Sequence, residues 1–542
     1  MRSWVLPFLA GVTVVALVAT SVGLVVQTRR AAAAEARADA LAVEVEQLQD
    51  RVRELESGRA GDGDGGLQGL LDGLLGGEGG GLEGLLGGLL GGDGDAGGLL
   101  GGGDAPGAAC LVPDEGAGLG AFGGREGLFG EEGLSGLLEG DSLLGDLGGL
   151  LGGQDPAGES TSTLPEDPDD LVEALVPQVA DDRELTWTDP VEVDFLTTSE
   201  VQARLDELLE DDADPARDDA YQRLLVALGA VPASTDLPTV RRQLLDEQVA
   251  GFYVPDTGEL VVRVPDDGQV GTLDKITLAH ELQHALADQA LGLPDLEAFE
   301  GSDRVLAAQA VVEGDATLFM NQWALANIPV QDQIAAATGD DAARAQAGLD
   351  GVPVYLQREL LFPYTEGLDW VCDRWLQDGW SGVDAAYADL PETTAEILYG
   401  DAAAVPRELE VPAAPDGHET VLSDEFGAAQ LLWLFEAPGG DEAKALPDPR
   451  RSAAAWAGGQ AAVYADGTDS AVALVFGDAR GTLCDDLASW YTAAFPEATN
   501  TREGAVQSFL MPAQHATLSC DDGVVRLGIA PDAATARAAA EG

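Results

Sequence analysis

The stretch TLAHELQHALADQALG, residues 277–292, holds two of the four histidines in a 542-residue chain, four positions apart. On an α-helix, His280 and His284 leave the same face about one turn apart. Two imidazole nitrogens so placed can reach a single Zn2+ at about 2.0–2.1 Å and leave further positions for a carboxylate and a water. Glu281 stands about 100° round the helix, beside such an ion instead of on it. That is the position of a general base for a metal-activated water. With histidine this rare, an H-E-x-x-H string arises by chance with odds on the order of a few in a thousand.

A catalytic site of this kind needs a third protein ligand. The segment GSDRVLAAQAVVEGDATLFM, residues 301–320, reads as an amphipathic helix with Ser302 or Asp303 as its N-cap. It carries Glu313 among alanines and valines, where a carboxylate is costly to bury unless a cation compensates it. Glu313 is the expected third ligand, Asp315 the competing one, and Gly314 lets the two helices approach closely.

His280-Glu281-x-x-His284 followed by Glu313-Gly314-x-Ala316 resembles the gluzincin branch of the zinc metallopeptidases. The Glu-Gly-x-Ala string is similar to the third-ligand helix of aminopeptidase-N-type enzymes. More widely, residues of about 190 to 490 resemble a poorly characterised actinobacterial family of membrane-anchored H-E-x-x-H proteins. The strings that carry this are EQVAGFYVPDTGELVVR, TLAHELQHALADQ, VVEGDATL, FPYTEGLDWV, GWSGVDAAYADLPETTAEIL and AAWAGGQAAVY. Family strings of the last-but-one kind end in His-Pro, where this chain has Tyr399-Gly400. The resemblance implies zinc peptidase architecture, with His280, His284 and Glu313 on one Zn2+ and Glu281 as general base.

Hydrolysis of a peptide bond by that route also calls for a donor to the tetrahedral oxyanion, usually a Tyr or His. Tyr364, in FPYTEG at an expected loop-to-helix junction, is the first candidate; His418 and Tyr399 follow. Asp288 or Asp315 can orient a ligand imidazole. A peptide or protein substrate is expected to add as a strand to the sheet edge made by GELVVR.

The elements that must position these groups follow from pattern and punctuation. PVEVDFLT reads as a strand, then TSEVQARLDELLED, DDAYQRLLVALGAV and DLPTVRRQLLDEQV as helices. VAGFYVPDTGELVVRVP is a hairpin about Asp256-Thr257-Gly258. The histidine helix runs from near Val270 to Gly292, a natural C-terminal glycine, with Pro294 beyond. The expected fold is α+β: a zincin-like catalytic domain over residues 164–419, with a small mixed sheet and a helical part, and a small α+β module over 420–542. Cys372 falls on an apolar helix stripe and reads as a buried small side chain, whereas Cys484 and Cys520 can pair in an oxidising compartment.

The N-terminal third is different. Trp4 to Val26 contains no charge and is long enough to cross a bilayer. Residues 1–30 are expected to be an uncleaved signal anchor, with the large domain outside the cytoplasm. In residues 31–58, Ala38, Val45 and Val52 take a positions and Leu41, Leu48 and Leu55 take d positions. A weak parallel homodimer through residues 38–56 and a lone stalk helix both fit so short a pattern. Residues 59–163 form a Gly/Leu-rich low-complexity tether whose glycines oppose regular structure. A formal charge of −68, from 96 acidic and 28 basic residues, repels phosphate backbones, and no nucleic-acid partner is expected. The leading expectation is a membrane-tethered zinc peptidase. The alternative is a zinc-bound, catalytically silent envelope scaffold.

Overall fold

The computed structural model describes residues 164–212, 214–265, 268–337, 339, 348–349, 351–467 and 469–542. The anchor (1–30), stalk or coil (31–58) and tether (59–163) lie outside these residues. Among the described residues, no helix is long and apolar enough to cross a membrane. The fold is mixed α+β, with one three-stranded and one seven-stranded sheet.

The first helix, α1 (Pro168–Arg183), starts where Asp167 caps two backbone amides and Pro168 occupies the first turn, and it ends in the buried Arg183. Next come β1 (Val193–Thr197) and three helices, α2 (Thr198–Asp212), α3 (Pro215–Ala227) and α4 (Leu237–Gln248). The hairpin of β2 (Gly251–Val254) and β3 (Glu259–Val264) turns at Thr257-Gly258, where Gly258 takes φ 69°.

The strand order is β1-β3-β2, so GELVVR is not an edge. Strand β1 fills the open side of β3 in parallel register, Val193 opposite Leu260 and Thr197 opposite Val264. The free edges among the described residues are β1 and β2. One sheet face packs on α2 through Val201, Leu205, Phe252 and Val261. The other carries α5 (Thr272–Leu291), the histidine helix, which ends at Gly292 with φ 81° as its sequence predicts. Cover on both faces explains why β2 and β3 are almost continuously buried instead of alternating.

The long helix α6 (Ser302–Asn327) bears Glu313. Neither Ser302 nor Asp303 caps it: Gly301 is the cap residue, at φ 98°. Asp303 is instead buried, accepting hydrogen bonds from the backbone and hydroxyl of Thr394. After α7 (Val330–Ala337), helix α8 (Val354–Asp378) runs straight through FPYTEG, with Pro363 in its interior. Tyr364 is therefore mid-helix, not at a loop-to-helix junction. Two shorter helices, α9 (Trp380–Ala388) and α10 (Thr394–Tyr399), follow.

Helices α6 and α8 cross on two glycines. A methyl carbon at Gly314 would stand 2.4 Å from the Gly367 carbonyl oxygen, and one at Gly367 would stand 2.2 Å from that of Ala310. The close approach that Gly314 permits is thus with the Tyr364 helix, not with the histidine helix.

The seven-stranded antiparallel sheet begins at β4 (Glu419–Glu425). Helix α11 (Ala428–Glu436) and the short α12 (Pro449–Ala453) lead into β5 (Trp456–Ala465) and β6 (Ser470–Asp478). Helix α13 (Leu483–Ala494), strands β7 (Thr499–Glu503), β8 (Val506–Leu510), β9 (His515–Asp521) and β10 (Val524–Ala530), and α14 (Ala533–Glu541) complete it. The order is β4-β5-β6-β10-β9-β8-β7. Cys484 on α13 is disulfide-bonded to Cys520 on β9. Cys372 is buried, as its apolar stripe suggests, and is disulfide-bonded too. Arg450 of α12 grips Glu366 of α8 with both nitrogens of its fork, fastening this part of the chain to the helix that carries Tyr364.

Two predictions follow from the packing of α6. Gly314→Ala must push α6 and α8 apart, and denaturant unfolding should show a loss on the order of 2 kcal/mol or more. Burial, with Glu425 and Glu396 nearby, outweighs the Thr394 hydrogen bonds and pushes the Asp303 carboxyl from 3.8 up to about 7. A proton held more tightly in the folded state stabilises fully below the unfolded value, and this contribution is lost as pH rises to about 7. Asp303→Asn should therefore flatten the fall in melting temperature between about pH 4 and pH 8 relative to wild type.

Candidate metal centre

The 3.6-residue period of α5 puts His280 and His284 on one side, and the sheet presses that helix against α6. The two Nε2 atoms lie 3.0 Å apart, and each is 3.3 Å from Oε2 of Glu313. Ligands held about 2.0–2.1 Å from one central ion at tetrahedral angles stand about 3.3–3.4 Å from each other. The triangle has nearly those edges. Neither carboxylate oxygen of Glu313 has hydrogen-bond geometry to a donor, although the side chain is buried. A buried acceptor without a donor is expensive, and a cation at the centre of the triangle would satisfy all three groups. The buried His280, His284 and Glu313 group can bind a metal ion.

The electrostatics of the three groups are those of a site that wants positive charge. Burial favours the neutral carboxyl of Glu313, but the two histidines overcome it and hold the group at about 2. Burial likewise pulls both imidazoles down. For His280 it prevails, while for His284 the charges of Glu313, Glu281 and Asp315 overcome it and the ring goes up. Glu281 is pushed up to about 8 by burial, with Glu313 adding to the rise and His284 opposing it.

Two further side chains complete the centre. Glu281 faces β2 so closely that a methyl carbon at Gly251 would stand 3.1 Å from its Cγ and 2.7 Å from Thr277 Cγ2. Glycine at 251 is what lets the strand lie against the H-E-x-x-H helix. From the other side, the glycine crossing of α6 and α8 brings Tyr364 in, its ring centroid 6.5 Å from that of His280. The Tyr364 hydroxyl is buried and faces Glu313 without a well-formed hydrogen bond. Burial, then the charges of Glu313 and Glu281, push it well above the ordinary phenol range. His280, Glu281, His284, Glu313 and Tyr364 are thus brought together.

Other candidates are not. Asp315 is no ligand: its carboxylate accepts hydrogen bonds from Arg183, Gln283 and Tyr387. Asp288 accepts from the Tyr253 hydroxyl and the Leu293 backbone amide. The Tyr399 hydroxyl donates to the Arg450 carbonyl, and His418 lies before β4 beside the Asp416 carbonyl. Arg183, Gln283 and Tyr387 escaped the sequence reading. Gln283 lies inside the H-E-x-x-H string and could have been weighed, but nothing local marks the other two. No protein-family model, curated protein or solved structure matches the chain.

Glu313→Gln removes the charge from the ligand set while keeping its shape. Metal analysis after dialysis against trace zinc should find about one ion per wild-type chain and little in Glu313→Gln or His284→Ala.

Proposed function

We propose that the protein is a zinc-dependent peptidase with a zincin-like catalytic domain, in which Glu281 is the general base and Tyr364 the oxyanion donor. The observation that carries this reading is the buried triangle of two Nε2 atoms and one carboxylate oxygen, with Glu281 beside it on the same helix. Two histidines and one carboxylate are the ligand set of catalytic zinc sites that keep a fourth position open. The resemblance of His280-Glu281-x-x-His284 and Glu313-Gly314-x-Ala316 to gluzincins points the same way.

His280, His284 and Glu313 would hold the zinc, which would supply Lewis acidity toward the scissile carbonyl and the attacking water, and positive charge that favours the carboxylate form of Glu281. Glu281 accepts a proton from the attacking water as the new carbon–oxygen bond forms. It delivers that proton to the departing amine nitrogen as the carbon–nitrogen bond breaks. The Tyr364 hydroxyl, free of a strong partner, donates to the oxygen on which charge develops. The free edge of β2, which Gly251 sets against Glu281, receives the substrate as an added strand in place of the β3 edge. The reacting side chains are buried, so turnover requires an opening of the surrounding fold.

The setting rests on further readings. Trp4–Val26 as a signal anchor tethers the chain to the cell membrane with the catalytic domain outside the cytoplasm. The Cys484–Cys520 bond supports that side, because disulfides persist in oxidising compartments.

Cleavage of unfolded casein, with and without a chelator, tests the reaction. Glu281→Gln should retain zinc and lose turnover. Tyr364→Phe should lower kcat about 100- to 1,000-fold with little change in KM. A Glu281→Gln protein that cleaves at the wild-type rate sinks the base assignment. A zinc-loaded wild type that cleaves nothing favours the silent scaffold instead.

A further inference from the structure

Asp315 lies two positions beyond Glu313, and Gln283 directly precedes His284. The Gln283 amide donates to Asp315 Oδ2 at 2.9 Å, so one hydrogen bond joins the two ligand-bearing helices within two residues of a ligand on each. The same carboxylate accepts from Arg183 Nε at 3.1 Å, from Arg183 Nη2 at 3.2 Å and from the Tyr387 hydroxyl at 2.9 Å. Arg183 Nη2 also donates to Asp384 at 2.7 Å, and the guanidinium lies 4.3 Å from the Trp380 ring centroid. Arg183 and Asp315, 132 positions apart in sequence, are both fully buried. Helices α1, α5, α6 and α9 meet in this one network.

A two-pronged guanidinium fixes the plane of a carboxylate as well as its charge. With that plane set, the direction in which Asp315 can receive Gln283 is set too, and with it the register of α5 against α6. The fork also neutralises Asp315, which would otherwise be a second bare carboxylate beside the metal ligands. Cohesion alone does not call for such a device, because replacing a buried ion pair with apolar groups is often neutral or stabilising.

We propose that Arg183 is a positioning residue for the metal centre, holding His284 and Glu313 in ligating register through Asp315 and Gln283. The proposal rests on the reading of His280, His284 and Glu313 as metal ligands. It makes α1 part of the metal-binding apparatus.

The test compares the full chain with the paired variant Arg183→Met/Asp315→Leu and the single variant Gln283→Leu. Zinc affinity is read by competition with a chromogenic chelator, coordination geometry by the absorption of bound Co2+, and fold by melting of the metal-free protein. The paired variant strands one charge, that of Asp384, whose side chain is 32% exposed and stays solvated, and it takes the acceptor from the Gln283 amide and the Tyr387 hydroxyl, which carry no charge. Both variants should keep a cooperative melt, bind zinc about 10- to 100-fold more weakly, and shift the Co2+ spectrum. Arg183→Lys, which keeps the charge but loses the fork, should fall between them and wild type. Should the paired variant not fold, Gln283→Leu, which strands no charge, decides. Wild-type affinity and spectrum in every folded variant overturn the proposal. A wild-type chain that binds neither zinc nor Co2+ overturns the metal reading itself, a separate result.

Discussion

Two imidazole nitrogens and a carboxylate oxygen sit within 3.3 Å of one another in a helical interior that excludes water. Polar atoms gathered so closely cost free energy on any arrangement of protons that leaves the carboxylate oxygens without donors. A single metal cation at the centre of the triangle would turn that cost into a gain. The surrounding helices are arranged around this constraint, since the triangle survives only if the helices that carry it cannot drift.

Three contacts hold them. The sheet meets α5 through Gly251, where a side chain would collide with Thr277 and Glu281. The α6–α8 crossing is closed to backbone contact by Gly314 and Gly367, each directly following a glutamate. One of those glutamates is Glu313 of the triangle, and the other, Glu366, is clamped by Arg450 from α12. The Arg183 fork ties α1, α6 and α9 together and reaches α5 through Gln283. Each contact works by shape or by fixed hydrogen-bond direction, and such contacts tolerate little sliding.

The cluster of His280, His284 and Glu313, which could bind a metal ion, was legible because helical periodicity alone places i and i+4 side chains together and because Glu313 has no reason to lie among alanines and valines. The β2–β3 hairpin was legible from Asp256-Thr257-Gly258. What failed were inferences that local sequence does not control. FPYTEG looked like a loop-to-helix junction, yet α8 continues through it, Pro363 included, its packing on α6 outweighing local preference. GELVVR looked like an edge because nothing in it reveals that β1, more than 60 residues earlier, lies alongside. Ser302 and Asp303 looked like caps, but a buried partner at Thr394 claimed Asp303. Arg183 was invisible for the same reason, since its partner is 132 positions away.

X-ray absorption at the zinc edge of the metal-loaded full chain tests the central claim most directly. The account predicts four- or five-coordinate zinc with two imidazole nitrogens, oxygen in the remaining positions, all near about 2.0–2.1 Å, and no sulfur. A spectrum without imidazole scattering, or one of six oxygens alone, would contradict it.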